Sequence, residues 1–125
     1  MIKAVNSEKM PLNPALPFSH SIAAGDYVFL SGQVGSGADG VIPEDIQEQT
    51  ENVCKNLANV LEANGIGFEN VVKCTCFLTD IGNFAKFNEV YAKYFTGKPA
   101  RSCFAVKDLP LGAQVEIELI AYLGK

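Results

Sequence analysis

What this 125-residue chain lacks already excludes several kinds of chemistry. It has one histidine, His20, which cannot make a zinc site by itself, and its four cysteines show no Cys-x-x-Cys spacing. Cys54, Cys74, Cys76 and Cys103 fall inside predicted helix or strand runs and read as reduced, mostly buried thiols. Cys74-Thr-Cys76 in particular reads as two core thiols rather than two metal ligands, so no metal is expected. No apolar run approaches the ~20 residues that a membrane-spanning helix needs. The opening Met1-Ile-Lys-Ala-Val-Asn6 also lacks the long apolar core of a signal peptide, so a cytoplasmic protein without a membrane partner is expected. Basic residues are scarce as well: 10 Lys and Arg against 14 Asp and Glu leave a net charge of −4. That balance argues against a broad nucleic-acid footprint, which needs clustered cations. Gly35-Ser-Gly-Ala-Asp-Gly40 superficially suggests a phosphate loop, but it has no Gly-Lys-Ser/Thr and no capped helix follows it directly, so it reads as a turn.

What is present fits one globular domain over residues 1–125, with 48% hydrophobic and 19% charged residues. Ile2 to Val5 is a short apolar run. Met10 to Pro17 carries three prolines and reads as an extended connector. Ser19–Ala24 and Asp26–Val34 are strand-like and break at Gly25, which predicts a hairpin. In the second run Tyr27, Phe29, Ser31 and Gln33 share one face, with Val28, Leu30 and Val34 on the other. Asp45 and Glu48 have capping-box spacing, and the period near 3.6 from Ile46 to Leu61 predicts an amphipathic helix stopped at Gly65. Val71–Thr79 alternates as a strand, with Val72, Cys74, Cys76 and Leu78 on its apolar face. Phe84, Phe87, Tyr91, Tyr94 and Phe95 recur at helical spacing before Gly97 and Pro99, and such a stripe usually belongs to a core.

The most informative stretch is Lys98 to Glu118. Its alternating, otherwise apolar runs carry Arg101, Cys103 and Glu116. Side chains at i and i+2 leave a strand on one face, so Arg101 goes with Cys103 and Glu116 with Glu118, while Val115, Ile117, Leu119 and Ala121 supply an apolar face. A guanidinium, a thiol and a carboxylate are an unusual load for a sheet. From residue type alone, Arg101 is balanced between a salt bridge to Glu116 or Glu118 and anion binding, and Cys103 reads first as a small core residue. His20 reads as a satisfied surface or hairpin residue.

The order strand, strand, strand, helix, strand, helix, strand, strand makes an α+β domain. Two helices cover only one face of about six strands. The other face, expected to carry Tyr27, Phe29, Phe77, Arg101 and Glu116, then needs a cover, and a closed ring of subunits with sheets inward supplies one.

Phe29-Leu-Ser-Gly-Gln-Val34, Val72-Lys-Cys-Thr-Cys-Phe-Leu-Thr-Asp80, Phe87-Asn-Glu-Val-Tyr-Ala92, Pro99-Ala-Arg-Ser-Cys103 and Leu109-Pro-Leu-Gly-Ala-Gln-Val-Glu-Ile-Glu118 together resemble the RidA/YjgF/UK114 family. Its members are also labelled L-PSP endoribonucleases and include reactive-intermediate deaminases. The resemblance spans nearly the whole chain. It implies a chorismate-mutase-like α+β fold with a mixed sheet and two helices on one face, and a last strand inserted beside the central one where residues alone would favour a hairpin. It also implies a homotrimer with clefts at the subunit interfaces and cofactor-free hydrolysis of 2-imino acids to 2-keto acids and ammonia. By motif, Arg101 resembles the arginine that grips the substrate carboxylate, Cys103 the residue beside the reacting nitrogen, and Glu116 the carboxylate that positions the attacking water. Ser31, Gly32 and Asn88 match cleft positions. Pro17-Phe18-Ser19-His20 departs from the common Pro-Tyr-Ser/Val-Gln, so Phe18 walls the cleft without a phenolic hydroxyl. A non-catalytic trimer binding small carboxylates and an L-PSP-type endoribonuclease or translation inhibitor are the alternative readings.

Overall fold

The computed structural model describes residues 1–124. Its strands are β1 (Ile2–Val5), β2 (Ser21–Ala24), β3 (Tyr27–Val34), β4 (Val71–Leu78), β5 (Ala100–Ala105) and β6 (Val115–Tyr122), and its α-helices are α1 (Ile46–Ala63) and α2 (Phe84–Tyr94). Local chemistry explains the boundaries. Gly25, at φ +62°, turns β2 into β3 as an antiparallel hairpin. The Asp45 carboxylate accepts from the Glu48 amide at 3.0 Å and caps α1. At the other end Gly65 adopts φ +74°, its amide donates to the Glu62 carbonyl, and the Ile66 amide donates to the Leu61 carbonyl, which closes the helix with a left-handed cap.

The strands form one sheet in the order β1-β2-β3-β6-β4-β5. β6 runs antiparallel to both β3 and β4, and β5 lies parallel to β4 at the edge. The last strand therefore does insert beside the earlier ones instead of pairing with its predecessor. The crossover through α1 joins β3 to β4 and leaves between them the slot that β6 fills, while the crossover through α2 sets β5 parallel to β4. Both helices pack on one face. Val53, Leu57, Val60 and Leu61 of α1 and Phe87 and Tyr91 of α2 close over Val28, Leu30, Cys74, Cys76, Leu78, Val115, Ile117, Leu119 and Ala121. Burying each large side chain of this set contributes ~1.5–3 kcal/mol, so this layer is the main source of stability. No helix among the described residues is long and apolar enough to cross a membrane.

Among the described residues no element covers the opposite face. Phe29 is 47% exposed and Phe104 45%, with Tyr27 paired to Tyr122 and Phe77 meeting Phe104 edge-on at 5.4 Å.

Three expected face assignments need correction. Two β-bulges flank β6. One falls between Val71 and Lys73, so Val72 is exposed while Val71 takes its place in the core. The other falls between Leu30 and Gln33, so Gln33 pairs with core-facing Ile117 and Val34 with Glu116, the reverse of strict alternation. Third, Arg101 and Cys103 do not share the open face with Glu116. They are registered beside Cys74 and Cys76, on the helix-covered side.

Candidate functional site

The predicted site residues fall into two groups on opposite sides of the sheet. The first lies on β5 and α2. Arg101 donates from Nη1 to the Asn88 side-chain oxygen at 2.7 Å, and its guanidinium stacks 4.8 Å from the Tyr91 ring centroid, 5.4 Å from Phe84 and 5.8 Å from Phe87. The helical spacing of residues 84, 87, 88 and 91 aims all four at the strand that carries Arg101. Among the described residues the salt bridges are Lys9–Glu62 and Lys93–Glu51, so the Arg101 cation has no carboxylate partner there. Aromatic faces and an amide oxygen stabilise its charge without neutralising it. Cys103, two residues on, is half-buried against the core. Burial raises its thiol pKa while the nearby Arg101 charge pulls it down, and the net shift is upward. The thiol therefore stays protonated at neutral pH, which disfavours a nucleophilic role.

The second group is built by the β3 bulge. The bulged residues are Ser31 and Gly32, opposite the single residue Glu118 of β6. The Ser31 amide donates to the His20 carbonyl at 3.0 Å and its hydroxyl to the Ser19 carbonyl at 2.6 Å, which fixes the bend. Gly32 lies directly against the Glu116 carboxylate, and a β-carbon at residue 32 would collide with that carboxylate. A larger residue here would displace the carboxylate end of Glu116. Glu116 is half-buried, and its pKa is raised above 4.5 first by that burial and then by the neighbouring Glu118. A carboxylate with raised affinity for a proton is a better general base than an exposed one.

Phe18, 50% exposed, stands in the same cavity as Ser31, Gly32 and Glu116, a space of about 1190 Å³. His20 lines it too, but it is buried rather than a surface residue. Its Nδ1 accepts from the Ser7 amide at 3.0 Å and its own amide donates to the Asn6 side chain at 2.8 Å. With Nδ1 so engaged, the neutral ring carries its proton on Nε2, and burial lowers the pKa. His20 is a brace between the N-terminal segment and β2.

Motifs in the sequence point to each member of both groups but not to the aromatic seat under Arg101, because the helical spacing of Phe84, Phe87 and Tyr91 reads as core. The signal that could have found it was Asn88, a polar residue set among them. Tyr91 also carries a buried hydroxyl beside the Cys74 thiol without a well-formed hydrogen bond; burial raises the pKa of both, Cys74 to about 11 although Tyr91 pulls it down, and the thiol pushes Tyr91 up further.

The family model described as Endoribonuclease L-PSP matches residues 8–123. The chain belongs to this family. Within it, the chain is 49% identical to Protein HMF1 of Saccharomyces cerevisiae over 109 residues, covering 86% of this chain and 84% of that protein. It is 38% identical to a 2-iminobutanoate/2-iminopropanoate deaminase of Mus musculus, covering 98% and 92% of the two chains. A solved family structure, E. coli TdcF with bound serine, superposes with a TM-score of 0.89 at 34% identity over 96% of this chain and 98% of that one. These likenesses carry the fold across the family, while members differ in the activity their names record.

Proposed function

We propose that this protein is a 2-iminobutanoate/2-iminopropanoate deaminase that works as a one-domain homotrimer, with each site shared between two subunits. The observation that carries the reading is the half-buried Arg101 guanidinium, seated on aromatic faces and Asn88 and left without a carboxylate partner among the described residues. Such a fork is shaped for a planar carboxylate, which it holds by two parallel hydrogen bonds. Glu116 supplies the complementary group, but it lies on the other side of the sheet. A site that uses both therefore needs Arg101, Cys103 and Asn88 from one subunit and Glu116, Ser31, Gly32 and Phe18 from the next. A closed threefold ring satisfies that need and also covers the open aromatic face.

In this reading Arg101 fixes the substrate carboxylate and Glu116 takes a proton from a water as its oxygen attacks the C=N carbon. The protonated nitrogen, beside Cys103, accepts the electron pair of the broken π bond, giving a carbinolamine. A proton then passes to that nitrogen, the C–N bond breaks, and loss of the hydroxyl proton leaves a 2-keto acid and ammonia. Orientation and one positioned base suffice because imines already hydrolyse in water. No cofactor enters these steps. The named activity of the mouse relative supports the reading. A cytoplasmic location is part of it, in keeping with four free cysteines.

The serine bound to the E. coli neighbour favours one second reading, a trimer that binds small carboxylates without turning them over. An assay following the decay of freshly generated 2-aminoacrylate separates the two. Acceleration by the wild type and its loss in Arg101→Ala support the deaminase, whereas 2-ketobutyrate binding without acceleration selects the binding protein. The endoribonuclease reading would require RNA cleavage that is strongly salt-dependent and lost with Arg101.

A further inference from the structure

In the single chain the cavity beside Glu116 is far larger than a three- or four-carbon acid requires, and a large part of its wall is apolar. Met10, Leu12, Leu16 and Phe18 line one side and Pro110 and Leu111 another. Of the polar residues of α1 that reach the cavity, Asn52 donates to the Gly35 carbonyl and Asn56 to those of Val34 and Ser36, while Lys55 and Asn59 also line it. Between Met10, Leu12, Leu16 and Phe18 on one side and Pro110 and Leu111 on the other, the wall offered to a ligand is hydrocarbon.

Leu111 is the unusual member. It occupies the left-handed region at φ 61°, ψ 21°, where a leucine is strained, and it is 79% exposed, so packing within its own chain does not offset that strain. Gly112 follows at φ 68°, and the turn leads directly into β6, which carries Glu116. The backbone thus holds a large apolar side chain out over the carboxylate's cavity.

We propose that this cavity is a subsite for the substrate's side chain, that Leu111 is its specificity-determining wall, and that the preferred substrates are 2-imino acids with aliphatic side chains longer than that of 2-iminobutanoate. The inference rests on the deaminase reading of the Arg101 and Glu116 site. With the carboxylate on Arg101 and the reacting carbon near Glu116, the substituent on that carbon extends toward Leu111 and Phe18. Each methylene buried there should tighten binding about fourfold, the value expected for moving one CH₂ group out of water.

The test is calorimetric titration of the intact protein with pyruvate, 2-oxobutanoate, 2-oxopentanoate and 4-methyl-2-oxopentanoate, the products of such imino acids. For the wild type, Kd should fall about fourfold per added carbon through the five-carbon acid. Leu111→Gly, which removes the wall and relieves the left-handed strain, should reduce that gain to about twofold per carbon, with the longest acid losing most. Arg101→Ala should weaken the whole series. Equal affinity for all four acids, or weaker binding of the longer ones, overturns the subsite while leaving the deaminase reading intact if imine decay is still accelerated. An unaltered gain per carbon in Leu111→Gly overturns the role of Leu111. Absence of binding by any of the acids, together with no acceleration of imine decay, overturns both.

Discussion

The seat of Arg101 and the pocket of Glu116 are two ways of holding a charge for use. Arg101 is fixed from beneath by rings of α2 and from the side by Asn88, a preorganised arrangement on rigid elements. Glu116 is crowded against Gly32 by a bulge and destabilised as an anion by burial and by Glu118. One side of the sheet preserves a charge; the other makes a charge readier to accept a proton. In the proposed reading the difference assigns ligand binding and proton transfer to separate parts of the chain, which meet only across a subunit boundary.

The largest effect that would sharpen this division is expected from Glu116→Gln. Loss of a general base slows turnover by about 10²–10⁴-fold, while the amide keeps the shape, so affinity for 2-keto acids should be nearly retained. The same substitution has a signature in stability. Because the folded-state pKa of Glu116 lies above 4.5, the folded protein holds more protons than the unfolded chain as pH rises from 4.5 through the raised value, and wild-type stability falls across that window. Glu116→Gln should therefore be modestly more stable than wild type at neutral pH, and denaturant titrations should show the advantage disappearing below pH 4.5.

Arg101→Ala should act in the opposite sense, weakening 2-keto acid binding about a hundredfold, since hydrogen bonds to charged groups contribute ~1.5–3 kcal/mol each. Arg101→Lys should recover only part of it, because an ammonium lacks the planar fork. Equal effects of the Glu116 and Arg101 variants on affinity and rate would erase the distinction. A smaller change is expected from Phe18→Tyr, which restores one hydroxyl to the cavity. One hydrogen bond is ordinarily worth ~0.5–1.5 kcal/mol, so turnover of 2-iminopropanoate should rise about two- to tenfold, with less effect on a longer substrate. If both substrates are unaffected, Phe18 serves only as packing.

The smallest effect concerns the brace behind the Glu116 pocket. The folded-state pKa of His20 is lowered by burial, so the unfolded chain binds its proton first as pH falls below 6.5. Stability contributed by neutral His20 should be complete above pH 6.5 and decline as pH falls through the lowered folded value. His20→Gln should be less stable at pH 7.5 and lack that component of the pH dependence in thermal melts.

Much of the fold was legible because its signals are local. Asp45 and Gly65 delimit α1, Gly25 marks the hairpin, and the aromatic spacing gives α2. The insertion of β6 between β3 and β4 was not legible in residue pattern, since strand order depends on nonlocal packing; only the family resemblance implied it. The bulges at Val72 and at Ser31–Gly32 escaped strict alternation, although Gly32 was a clue, being the one residue type that lets Glu116 come so close. The site residues could be named from their motifs, but their division could not. Alternation says that Arg101 and Cys103 share a face without saying which, and grouping them with Glu116, opposite Val115, Ile117, Leu119 and Ala121, puts them on the wrong one. On the edge strand β5 it is Phe104 that turns to the uncovered face, while Arg101 lies beside Cys74 on the helix-covered one.

In the proposed trimer each working site draws Arg101 and Glu116 from different subunits. Mixing is its most direct test: Arg101→Ala and Glu116→Gln chains are co-expressed, and imine hydrolysis is compared with each variant alone. If the sites are shared around a threefold ring, random assembly of equal amounts places an intact Arg101 opposite an intact Glu116 at about a quarter of the interfaces, and about a quarter of wild-type activity returns. Mixed trimers no more active than the two variants apart would contradict the account.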